Sequence, residues 1–182
     1  MRVIAGSAGG IPLVAPPKGT RPVSDRAREG VFSSLGDRVV GAVCLDLFAG
    51  SGAMGIEGLS RGAVSCTFVE KSRQATSTIA RNLAATHLAD RAVVVTRDVG
   101  SFLDRPPRDD AGVDLVFVDP PYDLAGPALA GVLARLDAWL VSDGWTVVVT
   151  RGHKSSLAAV PLHWSARRQL RYGDSLLILY GP

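Results

Sequence analysis

Long apolar runs, paired cysteines and metal-ligand clusters are all missing from this chain of 182 residues. No stretch approaches the ~20 apolar residues of a membrane span, and the N-terminus has no signal-peptide core. The expectation is therefore a cytoplasmic protein with no membrane partner. Only two cysteines occur, Cys44 and Cys66. Both fall in predicted buried strands without zinc-type spacing and read as reduced core thiols. His87, His153 and His163 also lack metal spacing, so no metal site is expected. Aromatic residues are scarce, at 6%, and the three tryptophans, Trp139, Trp145 and Trp164, are assigned to sheet–helix packing. No internal repeat or low-complexity tract interrupts the chain. With 47% apolar and 20% charged residues it can bury a core of ordinary size, and a monomer is the default.

Charge is unevenly placed. Residues 1–41 carry +3, residues 42–150 carry −4 and residues 151–182 carry +4. A mildly acidic body with basic ends suits an anionic polymer held from its flanks, although charge alone decides little.

From residue 42 onward, strand-like and helix-like segments alternate. Strands are predicted at 43–48, 65–70, 92–96, 114–118 and 145–150. Helices are predicted from 53 to about 61, at 72–86 with Ser72 as cap, and at 124–140 with a break at Pro127. A loop holding Pro106, Pro107 and several aspartates leads to the fourth strand. This alternation predicts a doubly wound α/β sheet, mostly parallel. Segments 163–170 and 175–180 flank a turn at 171–174 and predict an antiparallel C-terminal pair. The first 41 residues stand apart as a basic extension ahead of a main domain at 42–182. They comprise a small hairpin from 2–6 and 10–15, a Pro-rich linker, and a helix capped by Ser24 and ending at Leu35.

Asp46-Leu47-Phe48-Ala49-Gly50-Ser51-Gly52 joins the first strand to the first helix of the alternation. Glycines there let the backbone approach a ligand and place helix N–H groups at its edge. Gly50-x-Gly52-x-x-Gly55 satisfies the dinucleotide fingerprint, and Glu70, at the end of the second strand, can accept both hydroxyls of a ribose. Together they indicate a nucleoside cofactor and leave NAD and S-adenosylmethionine both open. Two aspartates tip the choice toward S-adenosylmethionine. Asp46 can face the ammonium of a methionine moiety, and Asp98, after the third strand, can accept from an adenine amino group. Phe48 is assigned to the wall of that pocket.

Asp119-Pro120-Pro121-Tyr122 follows the fourth strand. Two prolines cannot continue a sheet ladder, so the chain leaves the sheet there. A carboxylate, rigid carbonyls and an aromatic ring gather at the strand's C-terminal end, where open α/β sheets bind ligands. The carboxylate and carbonyls accept hydrogen bonds from an amino group, and the ring can stack on a flat heterocycle. A nucleobase with an exocyclic amine fits.

Together these residues resemble the class I methyltransferases of exocyclic amines, and more narrowly the RsmD family. The resemblance covers nearly the whole chain: Met1–Gly6, Arg21-Pro22-Val23-Ser24-Asp25-Arg26-Ala27-Arg28-Glu29, Leu45–Gly52, Leu59–Ala63, Asp119–Tyr122 and Tyr172-Gly173-Asp174. The family hairpin usually reads Arg-Gly-Arg where this chain has Gly9-Gly10-Ile11. A family glutamate near the end of the fifth strand is replaced here by Thr150-Arg151. The resemblance implies methyl transfer from S-adenosylmethionine to N2 of a guanine in 16S rRNA, within the 30S subunit. It gives Asp119, Pro120 and Tyr122 the catalytic roles. It also places Arg21, Arg26 and Arg28 along the RNA path, with Arg26 and Arg28 expected on one helix face. The other readings of the same chemistry are an adenine-N6 methylase and a non-catalytic RNA-binding assembly factor.

Overall fold

The structure, a computed structural model, describes residues 1–15, 23–107, 112–121, 123–152 and 159–182. The expected alternation is realised as α1 (Asp25–Leu35), β1 (Val43–Leu47), α2 (Ala53–Ser60), β2 (Ser65–Glu70), α3 (Arg73–Thr86), β3 (Ala92–Thr96), α4 (Val99–Leu103), β4 (Leu115–Val118), α5 (Gly126–Leu136), β5 (Thr146–Gly152), β6 (Ser165–Tyr172) and β7 (Ser175–Gly181). The strands form one sheet in the order β3-β2-β1-β4-β5-β7-β6. The first five are parallel, and β7 enters antiparallel between β5 and β6. This is the Rossmann-like doubly wound sheet of class I methyltransferases.

The central strands are buried on both faces, as parallel strands must be when helices cover both sides. All four residues of β4, Leu115-Val116-Phe117-Val118, are buried. One apolar cluster joins α1, α2 and α3 to one face, through Val31, Phe32, Ile56, Leu59, Ile79 and Leu83. A second joins α4 and α5 to the other, through Val99, Leu103, Leu129, Leu133 and Leu136. Val3, Ala8 and Leu13 of the N-terminal segment belong to the first cluster, so that segment packs onto the sheet's helical layer. Trp145, Trp164 and Tyr180 form a tilted aromatic chain in the second, with centroids 5.0 and 6.0 Å apart, and Trp139 stacks on Phe102 at 4.6 Å.

Several local expectations need correction. Pro127 does not break a long helix. It sits in the first turn of α5, where a missing N–H costs nothing, and a separate 3-10 turn follows at Asp137–Trp139. The stretch after β3 contains the short helix α4, capped by Asp98. The N-terminal hairpin shrinks to one antiparallel bridge, Arg2 with Pro12, because Pro12 has no N–H to extend a ladder. Three backbone bonds still close it: Val3 N–H to the Ile11 carbonyl, Gly10 N–H to that of Val3 and Leu13 N–H to that of Met1. Gly6 permits its docking on α2. Its φ is +84°, and an added Cβ would lie 1.9 Å from the Ser60 carbonyl oxygen.

Candidate cofactor and amine site

The sheet reverses its winding between β1 and β4, with β2 and β3 on one side and β5 on the other. The crevice at the C-terminal ends of these strands is where such sheets take ligands. Asp46, Glu70 and Asp119 stand at or next to the ends of β1, β2 and β4, so the topology brings three separately read residues to one edge.

The loop after β1 is held in an unusual backbone. Phe48, Gly50 and Gly52 all have positive φ, at 57°, 55° and 77°. For the glycines this is free, whereas for Phe48 it is strain of the kind that collects at functional sites. Phe48 is half-buried and packs against the second core cluster. Gly52 caps α2 without a side-chain bond. Gly55 serves packing: a Cβ there would lie 2.4 Å from the Phe68 ring and 2.6 Å from the Cys66 sulfur.

Asp46 is 1% exposed, and its Oδ2 accepts from the Gly55 N–H at 2.9 Å, anchoring the first turn of α2 to β1. Glu70 accepts from the Gly50 N–H at 3.1 Å and from the Ser72 N–H at 2.9 Å, which ties the loop to β2. Asn82, which sequence reasoning missed, donates to the Ser51 carbonyl at 2.9 Å and pairs with both backbone groups of Val14. The signal available for it was a polar residue on the apolar face of α3. Asp98 is exposed, and its carboxylate accepts from the Ser101 N–H at 3.1 Å as the cap of α4.

Burial pushes the Asp46 carboxyl well above its ordinary range. Its hydrogen bond to Gly55 opposes that rise, and the Asp119 and Glu70 charges add to it. Burial likewise raises Asp119 to about 7, opposed by its hydrogen-bonding neighbour Thr150. Among the described residues none of these three carboxylates forms an ion pair. Three acidic groups therefore share one edge with no cation between them, an arrangement that favours a positively charged ligand.

The remaining predicted residues are placed less uniformly. Pro120 is buried beside Asp119, while Tyr122 and Arg21 lie outside the described residues. Arg26 is exposed and Arg28 is wholly buried, so the two do not share a helix face. Residues two apart on an α-helix are rotated by about 200°. The Arg28 guanidinium donates to the Arg2 carbonyl at 2.6 Å and to Asp25 at 2.7 Å, and its Nε and second terminal nitrogen are buried without partners among the described residues. Its place is in the packing between α1 and the N-terminal segment, away from a phosphate on the surface. Among the described residues no group of three or more His, Cys, Asp or Glu is placed to hold a metal ion.

The family model described as Conserved hypothetical protein 95 matches residues 1–181. The chain belongs to this family, the RsmD family. It is 36% identical over 186 residues to ribosomal RNA small subunit methyltransferase D of Escherichia coli K12, covering 99% of this chain and 89% of the relative. The Haemophilus influenzae protein of the same name is 32% identical, with 99% of this chain and 93% of the relative covered. Among solved structures, the yhhF protein of Escherichia coli superposes with a TM-score of 0.86 at 36% identity, covering 100% of this chain and 97% of that one.

Proposed function

We propose that this RsmD-family chain transfers a methyl group from S-adenosylmethionine to the exocyclic N2 amine of a guanine in 16S rRNA. The observation that carries this reading is the acidic edge formed by Asp46, Glu70 and Asp119 beside the Asp-Pro-Pro loop, none of the three being ion-paired among the described residues. S-adenosylmethionine, when bound, supplies an electrophilic methyl on a positively charged sulfur, next to an ammonium group. Both positive charges match the edge. The fit is chemical as well as electrostatic, because Glu70 already stands against the glycine loop where ribose hydroxyls need acceptors.

In this reading Asp46 faces the ammonium, Glu70 the ribose and Asp98 the adenine amino group. Phe48 lines the pocket, while Gly50 and Gly52 let the backbone approach. Asp119 and the Pro120 carbonyl accept the two N–H bonds of the target amine. That amine is a weak nucleophile, because its lone pair is delocalised into the ring. Holding both N–H groups turns the lone pair toward the methyl and stabilises the positive charge growing on nitrogen. Asp119 carries the negative charge that stabilises the growing positive nitrogen only when ionised, so its raised pKa places the chemistry's acid limit near neutrality. Tyr122 stacks on the base, worth roughly 1–3 kcal/mol. A paired guanine hides N2, so the target is unpaired or flipped out. Exposed Arg26, together with Arg21, contacts phosphate. The RNA is presented within the 30S subunit, since a chain of this size has little surface for reading extended sequence.

The test is transfer of labelled methyl to 30S subunits from cells lacking this protein, with naked 16S rRNA and DNA in parallel, followed by nucleoside analysis. N2-methylguanosine that disappears with Asp119→Ala is the expected result. Label in N6-methyladenosine would reassign the base, and no label in any polymer would sink the substrate.

A further inference from the structure

Thr150 and Arg151 stand near the C-terminal end of β5, and both are buried, at 4% and 7% exposure. Their surroundings give the pair a joint role. In the parallel register of β4 and β5, Val118 faces Val149, so Asp119 and Thr150 come next on neighbouring strands. Side chains at matched positions of adjacent strands project to the same face, about 4.8 Å apart. The Thr150 side chain accordingly lies beside the Asp119 carboxylate, where it opposes the rise in pKa that burial causes. The β4–β5 ladder ends at Val118, so beyond it the β5 side steadies Asp119 through this side chain.

Arg151 points to the opposite face of β5, as alternation requires. Its guanidinium donates to the Leu124 carbonyl at 3.3 Å. Leu124 in turn donates its N–H to the Pro121 carbonyl at 3.0 Å, closing the turn that follows Asp119-Pro120-Pro121. Consecutive residues of one strand thus reach both ends of the loop, Thr150 at the carboxylate and Arg151 at the closing turn. Among the described residues the Arg151 Nε is buried with no hydrogen-bond partner. A guanidinium is seldom kept in the interior with an unused donor unless its position matters.

The geometry points to Thr150 and Arg151 as a two-sided clamp that positions the Asp119–Leu124 loop for the methyl-accepting amine. Thr150 aims the carboxylate and Arg151 holds the turn; neither touches the reacting atoms. Among the described residues, Asp46 on β1 interacts by charge with both Asp119 and Glu70, and Arg151 lies on the opposite face of β5. Arg28 of α1 is engaged by Arg2 and Asp25.

This inference rests on the methyl-transfer reading for its purpose, and its test separates the two. Wild type, Thr150→Val, Thr150→Ser and Arg151→Lys would be compared by ¹³C NMR titration of the Asp119 carboxyl, assigned with Asp119→Asn. The pH–rate profile of methyl transfer to 30S subunits would be recorded alongside. Thr150→Val keeps the shape and removes the hydroxyl. It is expected to raise the Asp119 midpoint by about one pH unit and to lower the rate at pH 7 about fivefold, with recovery at higher pH. Thr150→Ser restores both. Arg151→Lys keeps the charge but loses the planar donor set, and is expected to lower kcat about tenfold at unchanged cofactor Kd. An unmoved Asp119 midpoint and profile in Thr150→Val would overturn the clamp even if methyl transfer is confirmed. A shifted midpoint in a protein that methylates no polymer would uphold the contact and overturn the function.

Discussion

Two carboxylate regions of this protein are built on opposite terms. Glu57, in the middle of α2, is 0% exposed and fully engaged. It accepts from the Ile4 N–H at 2.7 Å, the Ala5 N–H at 3.1 Å and Arg61 Nε at 2.7 Å, and the Arg61 guanidinium rests over the Phe32 ring at 5.0 Å. Asp46 and Asp119, at the strand ends, are desolvated and, among the described residues, have fewer partners and no ion pair. The first arrangement uses a charge to fasten the N-terminal segment to the body. The second leaves charge uncompensated at the crevice, where a cationic ligand would relieve it. Burial of an acidic group therefore does not by itself set these regions apart; among the described residues, what distinguishes the strand-end carboxylates is that they have no ion-pair partner.

The largest effect should fall on the fastening carboxylate. Glu57→Ala strands two backbone N–H groups and Arg61, and should cost about 3–5 kcal/mol of stability in urea denaturation. The folded fraction should keep its methyl-transfer rate, and a proportional loss of that rate would break the comparison.

Asp119→Asn should do the reverse. It should slow transfer about 100- to 1,000-fold, the usual cost of removing a preorganised charge-stabilising group. Because the folded-state pKa is raised from 3.8 to about 7, this group's contribution to stability is complete below about pH 4 and is lost as pH rises through about 7. Asn stays neutral, so above pH 7 the variant should be more stable than wild type by about 1–3 kcal/mol in the same assay. In the wild type, the rate should fall roughly tenfold per pH unit below about 7, and Asp119→Asn should abolish that acid limb.

Glu70→Gln should weaken S-adenosylmethionine binding about tenfold by calorimetry, since a neutral amide is a poorer acceptor for ribose hydroxyls. A Kd unchanged in Glu70→Gln would remove Glu70 from the cofactor site. The smallest effect is expected at Asp98. Asp98→Ala loses the α4 cap, about 1 kcal/mol of stability. An accompanying rise of a few-fold in Kd would sharpen its assignment to the adenine.

Much of this was legible in the residues. The boundaries of β2, α3 and β3 follow directly from apolar periodicity and from Ser72 as cap, because short-range steric and hydrogen-bonding rules govern them. The glycine loop and the Asp-Pro-Pro stretch announced themselves by residues with restricted backbone behaviour. Other features gave no such signal. Pro127 could be read as a break or as a start, and only the position of α5 against the sheet decided which. Arg26 and Arg28 look alike in sequence, yet helix rotation exposes one and buries the other. Asn82 is a common residue at an unremarkable position, and Thr150 stands out only as a departure from the family pattern with no role attached. Their partners lie 31 positions away in one case, and across a strand pair in the other.

By itself, then, the sequence determined the alternation of elements, the two strand-end loops and the family, since each depends on local chemistry or on motifs contiguous in the chain. The tertiary structure alone decided which carboxylates are compensated, which arginine is buried and what stands beside Asp119. Those depend on strand order and register, which bring residues from distant segments within hydrogen-bonding distance and remove the water that would otherwise screen them.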